Sequence, residues 1–246
     1  MHTCQIRETR ACGILQGLAT PERPNKFRGN AVPRTPSPPL QLWGRANSVN
    51  VQKVLWCCHE LDLSFERIDA GMQFGRNGDP DYLAMNPNGR VPTLCHGDFT
   101  LWESNAIIRY LALSFDDAHQ LYPTEPKTRA GIERWLDWIL TTLQPAERPL
   151  FWGLVRTPPH ARDMAELREA AEENAKLWTM IEKHLDGRVY LEGDAFSLAD
   201  LAIGCYARRW FGVEGIERPA LPHLQRWYES IAERPGFVTW VSPPLT

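Results

Sequence analysis

The chain lacks the means for several classes of function. No stretch of its 246 residues approaches the ~18–20 consecutive apolar residues that a membrane-spanning helix needs, so no membrane partner is expected. Charge of one sign is not in excess. Lys and Arg total 27 against 30 Asp and Glu, a net charge of −3, which leaves no basic footprint for nucleic acid. Cysteine is scarce: the six, Cys4, Cys12, Cys57, Cys58, Cys95 and Cys205, include neither a C-x-x-C pair nor zinc-type spacing. That argues against a disulfide scaffold and against a metal site, and for a reducing, cytoplasmic setting. H-E-x-x-H, G-x-S-x-G, the P-loop and a G-x-G-x-x-G after a strand are all missing, which removes the reaction classes they serve. Gly71, Gly75 and Gly78 have the wrong spacing for the last of these. Cys57-Cys58-His59 reads as core or neutral surface, because consecutive helical residues point about 100° apart and cannot converge on one ion.

With 43% hydrophobic residues, 10 Trp and 23% charged residues, the remainder has the composition of a soluble globular protein. The length allows one large domain or two small ones. Residues 1–39 stand apart, with six prolines, six Lys or Arg and only two acidic residues. They read as a disordered extension, or as sequence upstream of a later start site. They lack the continuous apolar region of a secretory signal.

From Leu40 the pattern is that of a folded domain. Leu40 to Trp43 alternates like a half-buried strand, and Gly44 to Asn47 is a polar turn. Val51, Val54, Leu55, Cys58 and Leu61 then form one apolar helical stripe, with Gln52, Lys53 and Glu60 off it. Ser64 to Ile68 alternates again, completing a β-α-β unit with a parallel strand pair. Gly71 to Gly89 is mostly loop, with a short helix at Asp81 to Met85. Val91 to Cys95 and Phe99 to Trp102 flank a His96-Gly97-Asp98 turn as an antiparallel hairpin, and Glu103 to Leu113 is helical. After Asp116 the pattern is one of long helices. Ile132, Trp135, Leu136, Ile139 and Leu143 mark one; Leu167, Leu177, Trp178, Ile181 and Leu185 mark another. Ser197-Leu198-Ala199-Asp200 has the spacing of a capping box. A last helix, with Leu224, Trp227, Tyr228 and Ile231, breaks at Pro235-Gly236. The fold class is thus an α/β domain over 40–115 followed by an all-α domain over 124–240.

Three features carry chemistry. Val91-Pro92 reads as an edge position; were the bond cis, the Val91 amide and carbonyl would face outward, able to pair with an extended peptide. Glu103-Ser104 stands where a strand meets a helix. Ser104 suits an N-cap, the helix start favours a carboxylate, and Glu103 can accept from an ammonium group, so an amino-acid end fits there. Ser48 and Asn50 place a hydroxyl and an amide at another helix N-terminus, where a thiolate is favoured. Each is also an ordinary capping residue.

Together these residues resemble the glutathione S-transferase superfamily, over about Leu40 to Phe237. The resemblance rests on Ser48-Val49-Asn50-Val51-Gln52-Lys53-Val54, on Asn86-Pro87-Asn88-Gly89-Arg90-Val91-Pro92-Thr93-Leu94, on Glu103-Ser104-Asn105-Ala106-Ile107 and on Ser197-Leu198-Ala199-Asp200. It implies a thioredoxin-like N-terminal domain, an all-helical C-terminal domain, a homodimer, and glutathione as co-substrate with no metal. Carried over residue by residue, Val91 before Pro92 pairs with the cysteinyl backbone of glutathione, Glu103 and Ser104 hold its γ-glutamyl end, and Arg90 reaches its glycyl carboxylate. Ser48 or Asn50 stabilises the thiolate, as in serine-type classes or in a bacterial class with a T-P-N pattern. No Tyr near the first strand and no Cys near Ser48 offers the alternatives used by other classes. Trp138, Trp152, Trp210 and Phe211 are expected to line the pocket for a small hydrophobic electrophile, in a detoxifying transfer. A glutathione-dependent disulfide reductase and a non-catalytic interaction module of the same fold are the open alternatives.

Overall fold

The computed structural model describes residues 34–246; the expected extension therefore lies outside the described residues up to position 33. Its last part does not. Arg34 bridges to Leu63, its carbonyl accepts from the Ser64 amide at 2.8 Å, and its guanidinium pairs with Asp117 at 3.0 Å. Residues 34–39 thus lie against the first domain.

Four short strands, β1 (Leu40–Trp43), β2 (Phe65–Ile68), β3 (Thr93–His96) and β4 (Phe99–Trp102), form one sheet in the order β2-β1-β3-β4. β1 pairs with β2 in parallel, Leu42 opposite Arg67, and with β3 antiparallel, Leu42 opposite Leu94. β3 and β4 form the expected hairpin. The parallel pair requires a crossover, and α1 (Val49–Glu60) supplies it. The short α2 (Pro80–Met85) opens with proline at its first position, where the missing amide costs nothing. α3 (Ser104–Phe115) follows the hairpin.

The helical domain comprises α4 (Pro126–Trp138), α5 (Gln144–Phe151), α6 (Met164–His184), α7 (Leu198–Gly212), α8 (Pro222–Ala232) and α9 (Pro235–Trp240). Two boundaries differ from the sequence reading. The Ile132 to Leu143 stripe is not one regular helix: Ile139–Leu143 widens into a π turn, as does Trp152–Arg156 beyond α5. Pro145 and Pro149 lie between them, and each deletes an amide that a regular helix would use. Pro235 does more than end a helix. It is the first residue of α9, where proline is preorganised.

The largest departure concerns α1. Gln52 and Lys53 lie off the apolar stripe, yet they are 8% and 0% exposed. The reason is that α1 has no free face: α3 packs on one side, and α7 and α9 on another. Trp56, fully buried, meets Phe196 at 5.4 Å and Phe237 at 5.2 Å between ring centroids. Arg234, just before α9, forms an ion pair with Glu60 of α1 at 2.5 Å. The two domains therefore share one core. No helix among the described residues is long and apolar enough to cross a membrane.

Candidate active site

The turn between β1 and α1 is fixed by its backbone. The Gly44 amide donates to Ile68 O at 2.8 Å and that of Arg45 to Ala70 O at 3.1 Å. Gly44 adopts φ +152°, and a β-carbon there would lie 2.5 Å from a Val51 methyl, so only glycine lets the turn close. This delivers Ser48 to the N-cap of α1. Its backbone carbonyl accepts the first helical bond, from Gln52 at 2.8 Å, but its hydroxyl makes no capping bond. Ser48 is 6% exposed. The result is an uncommitted hydroxyl beside the first-turn amides of a helix, whose partial positive charge favours an anion.

Asn50, two residues on, gathers three elements. Its Oδ1 accepts from Ser104 Oγ on α3 at 3.4 Å and from Tyr206 OH on α7 at 3.4 Å. With the carbonyl end so engaged, the Nδ2 end has no partner among the described residues and is free to donate.

The peptide bond between Val91 and Pro92 is cis. Val91 itself lies outside β3, and neither its amide nor its carbonyl bonds to another backbone group among the described residues. The loop before it is held from beneath: the buried Asn86 donates to Arg90 O at 2.8 Å and to Thr93 Oγ1 at 3.0 Å, and Tyr82 OH donates to Arg90 O at 2.6 Å. The Arg90 carbonyl is thus doubly bound while its side chain is exposed.

Glu103, not Ser104, is the N-cap of α3, and Ser104 is the first helical residue. Glu103 stands at φ +71° and ψ 110°, a conformation that costs a non-glycine residue about 1–3 kcal/mol. It is exposed and makes no capping bond, whereas Ser104 is 3% exposed. The strained turn aims the Glu103 carboxylate outward at the mouth of α3, and Ser104 inward.

Sequence reasoning missed two cations beside this site. Lys53 is fully buried and donates to Asn105 Oδ1 at 2.9 Å; burial pulls its pKa down to about 8, and the Glu103 carboxylate offsets only part of that. Arg45 is pulled down to about 10 by burial and by the neighbouring Arg156 and Arg209. Nothing in the local pattern marks Lys53, since an off-stripe lysine normally faces water.

The four candidate aromatics are not brought together. Trp138 packs edge-on to Trp135 at 5.5 Å, Trp210 is 3% exposed and stacks on Trp178 at 6.0 Å, and Phe211 packs on Tyr228 at 4.4 Å. Trp152 alone among them lines a cavity of about 720 Å³, with Asn47, Met72, Arg156 and Pro158 among its walls. Asn47, one residue before Ser48, is the part of the β1–α1 turn that reaches this cavity. Cys57 and Cys58 are buried in the core, where burial raises both thiols, Cys58 to about 12.

Comparison with known proteins bears on the family and the fold. Residues 38–113 match the family model for the glutathione S-transferase N-terminal domain and residues 141–235 that for the C-terminal domain. The chain is 43% identical to glutathione S-transferase GstB of Escherichia coli, over 84% of this chain and 100% of that one. It is 34% identical to glutathione S-transferase 3 of Zea mays, over 81% of this chain and 91% of the relative. Among solved structures, the theta class glutathione S-transferase of Xanthomonas axonopodis pv. citri with glutathione bound superposes with a TM-score of 0.81. It is 44% identical, covering 84% of this chain and 99% of that one. The sheet order, the helical second domain and these matches together make this chain a member of the glutathione S-transferase family.

Proposed function

We propose that this protein is a glutathione transferase that lowers the thiol pKa of bound glutathione with Ser48 and Asn50 and delivers the thiolate to an electrophile held beside Trp152. The observation that carries this is the Ser48 hydroxyl, which stands at a helix N-cap without capping it. A free thiol has a pKa of about 8.5 and is mostly protonated at neutral pH. A hydroxyl, an amide and a helix N-terminus that donate toward sulfur favour its anion. In this reading Val91 pairs with the cysteinyl unit as an added strand. Glu103 accepts from the γ-glutamyl ammonium, the α3 start receives the γ-glutamyl carboxylate beside Ser104, and Arg90 meets the glycyl carboxylate. The sulfur pair attacks the electrophilic carbon, the leaving group departs with its own bonding pair, and the thiol proton goes to solvent. The chemistry assigned to these side chains calls for no metal.

We also read the chain as a cytoplasmic homodimer. Four free cysteines among the described residues suit a reducing compartment. Phe74 (43%), Leu83 (40%) and Phe99 (45%) leave apolar surface exposed on the first domain; light scattering after size exclusion measures the mass directly. The test of the chemistry is thiolate absorbance of bound glutathione against pH. Ser48→Ala is expected to raise the thiol pKa by about one unit, equal to about 1.4 kcal/mol, and Asn50→Ala to raise it less. Identical titrations for wild type and both variants would remove these residues from the mechanism. Turnover of a mixed disulfide instead of an alkyl or aryl halide would assign a reductase.

A further inference from the structure

The chemistry above leaves Lys53 unused. It lies three residues beyond Asn50 on the same face of α1, and helical side chains lean toward the N-terminus, so its chain runs back toward the turn that carries Asn50. Its only hydrogen bond among the described residues goes to Asn105 Oδ1 on α3, at 2.9 Å, and its ammonium stands over the Tyr206 ring of α7, 5.5 Å from the centroid. Neither partner is charged. Glu103 acts on the ammonium from further off, and Arg109 and Arg209 oppose that effect. The same two helices hold Asn50, whose Oδ1 accepts from Ser104 Oγ on α3 and from Tyr206 OH on α7, each at 3.4 Å. A hydroxyl accepts as readily as it donates, so these two contacts alone would suit either end of the amide. A buried cation on that side breaks the tie. It attracts the amide oxygen and repels the NH2 end, and low-dielectric surroundings leave the difference unscreened. Burial also keeps the Tyr206 phenol protonated, a donor for Oδ1.

We infer that Lys53 is a positioning residue for the proposed transfer: its buried ammonium turns the Asn50 amide so that Oδ1 faces α3 and α7 while Nδ2 faces the sulfur. This rests on the transferase reading above and deepens it. Asn105 anchors the arrangement, since its Nδ2 donates to Leu136 O at 2.7 Å and leaves its own oxygen to Lys53. Without the cation the Asn50 amide is free to turn over, and its oxygen then confronts the thiolate. Loss of Lys53 is therefore at least as harmful to the thiolate as loss of the Asn50 side chain itself.

Thiolate absorbance of glutathione bound to the whole chain, followed against pH, reads this directly. Lys53→Met is expected to raise the bound thiol pKa by about half a unit or more, a loss of about threefold in thiolate at neutral pH, and by no less than Asn50→Ala does. Tyr206→Phe, which removes one hydroxyl and keeps the ring, should shift it the same way by less. A double-mutant cycle separates positioning from a direct field of the ammonium on sulfur. A cation that acts by turning Asn50 has little left to do once that amide is gone. In the Asn50→Ala background, Lys53→Met should therefore shift the thiol pKa by less than about half of its effect in wild type. A merely structural loss would raise KM for glutathione; the expected loss falls on kcat below the thiol pKa, with KM kept within about twofold. Equal shifts in the two backgrounds overturn the inference, as does an unchanged thiol pKa in Lys53→Met or, if that variant does not fold, in Tyr206→Phe. Where Asn50→Ala moves the titration and these variants do not, this inference alone fails. Where Asn50→Ala leaves it unmoved, the role given to Asn50 fails as well.

Discussion

Ser48, Asn50 and Lys53 share the first turns of α1, and each has a different physical role. Ser48 offers a free donor and Asn50 a donor held in place by Ser104 and Tyr206. Lys53 supplies buried positive charge. Its depressed pKa has a definite consequence for stability. Below about pH 8 both folded and unfolded chains hold the Lys53 proton, and folding bears the full cost of burying the charge. Between about 8 and the ordinary lysine value of 10.5, the unfolded chain binds more protons, so this contribution to stability rises with pH. Urea unfolding of wild type and Lys53→Met across pH 7 to 10.5 should show the wild type gaining relative to the variant in that window; parallel curves would contradict the assignment. Ser48, Asn50, Val91, Glu103 and Ser104, the site residues we propose, stand out in the sequence because capping-type residues and a strand-edge proline leave local signals. Lys53 and Arg45 were not, because what buries them comes from distant parts of the chain.

The short strands and α1 to α3 follow from alternation and periodicity, and the hairpin from its turn. Helix ends were less legible where proline intervenes, since Pro145 and Pro149 act on the hydrogen-bond ladder and leave the apolar stripe continuous. The capping box before α7 is the most literal agreement. Ser197 Oγ accepts from Ala199 at 3.3 Å, and Asp200 accepts from the Ser197 amide at 3.0 Å. Asp200 also accepts from the Leu191 amide and the Trp227 ring nitrogen, both at 2.9 Å, so it anchors α7 to α8 as well. Ser197→Ala should cost about 0.5–2 kcal/mol, the usual worth of a cap. Asp200→Ala should cost more, since it leaves several buried donors unpaired. Denaturant midpoints that fall in the reverse order would refute this division. Within the helical domain, Glu147→Ala should cost about 3–5 kcal/mol by leaving the buried Arg209 unpaired. Removing both partners should cost less than the single change.

The two domains behave as one body because α1 is enclosed by both. Trp56 is the centre of that enclosure, and Gly236 is shaped to it: a β-carbon there would lie 2.4 Å from the indole. Trp56→Ala should cost about 3–5 kcal/mol and lower a single unfolding transition seen by both domains; two separate transitions in wild type would show independent halves. In the proposed function the glutathione-binding residues lie on the first domain and Trp152 on the second. The central claim is that an extended thiol tripeptide is gripped as an extra strand, its charged head at the mouth of α3 and its sulfur at the start of α1. A crystal structure with glutathione bound tests it most directly. The account predicts paired hydrogen bonds between Val91 and the cysteinyl backbone, the γ-glutamyl group on Glu103 and Ser104, and the sulfur within bonding distance of Ser48 Oγ or Asn50 Nδ2. Glutathione bound elsewhere, or lying there with its sulfur turned away from both side chains, would contradict it.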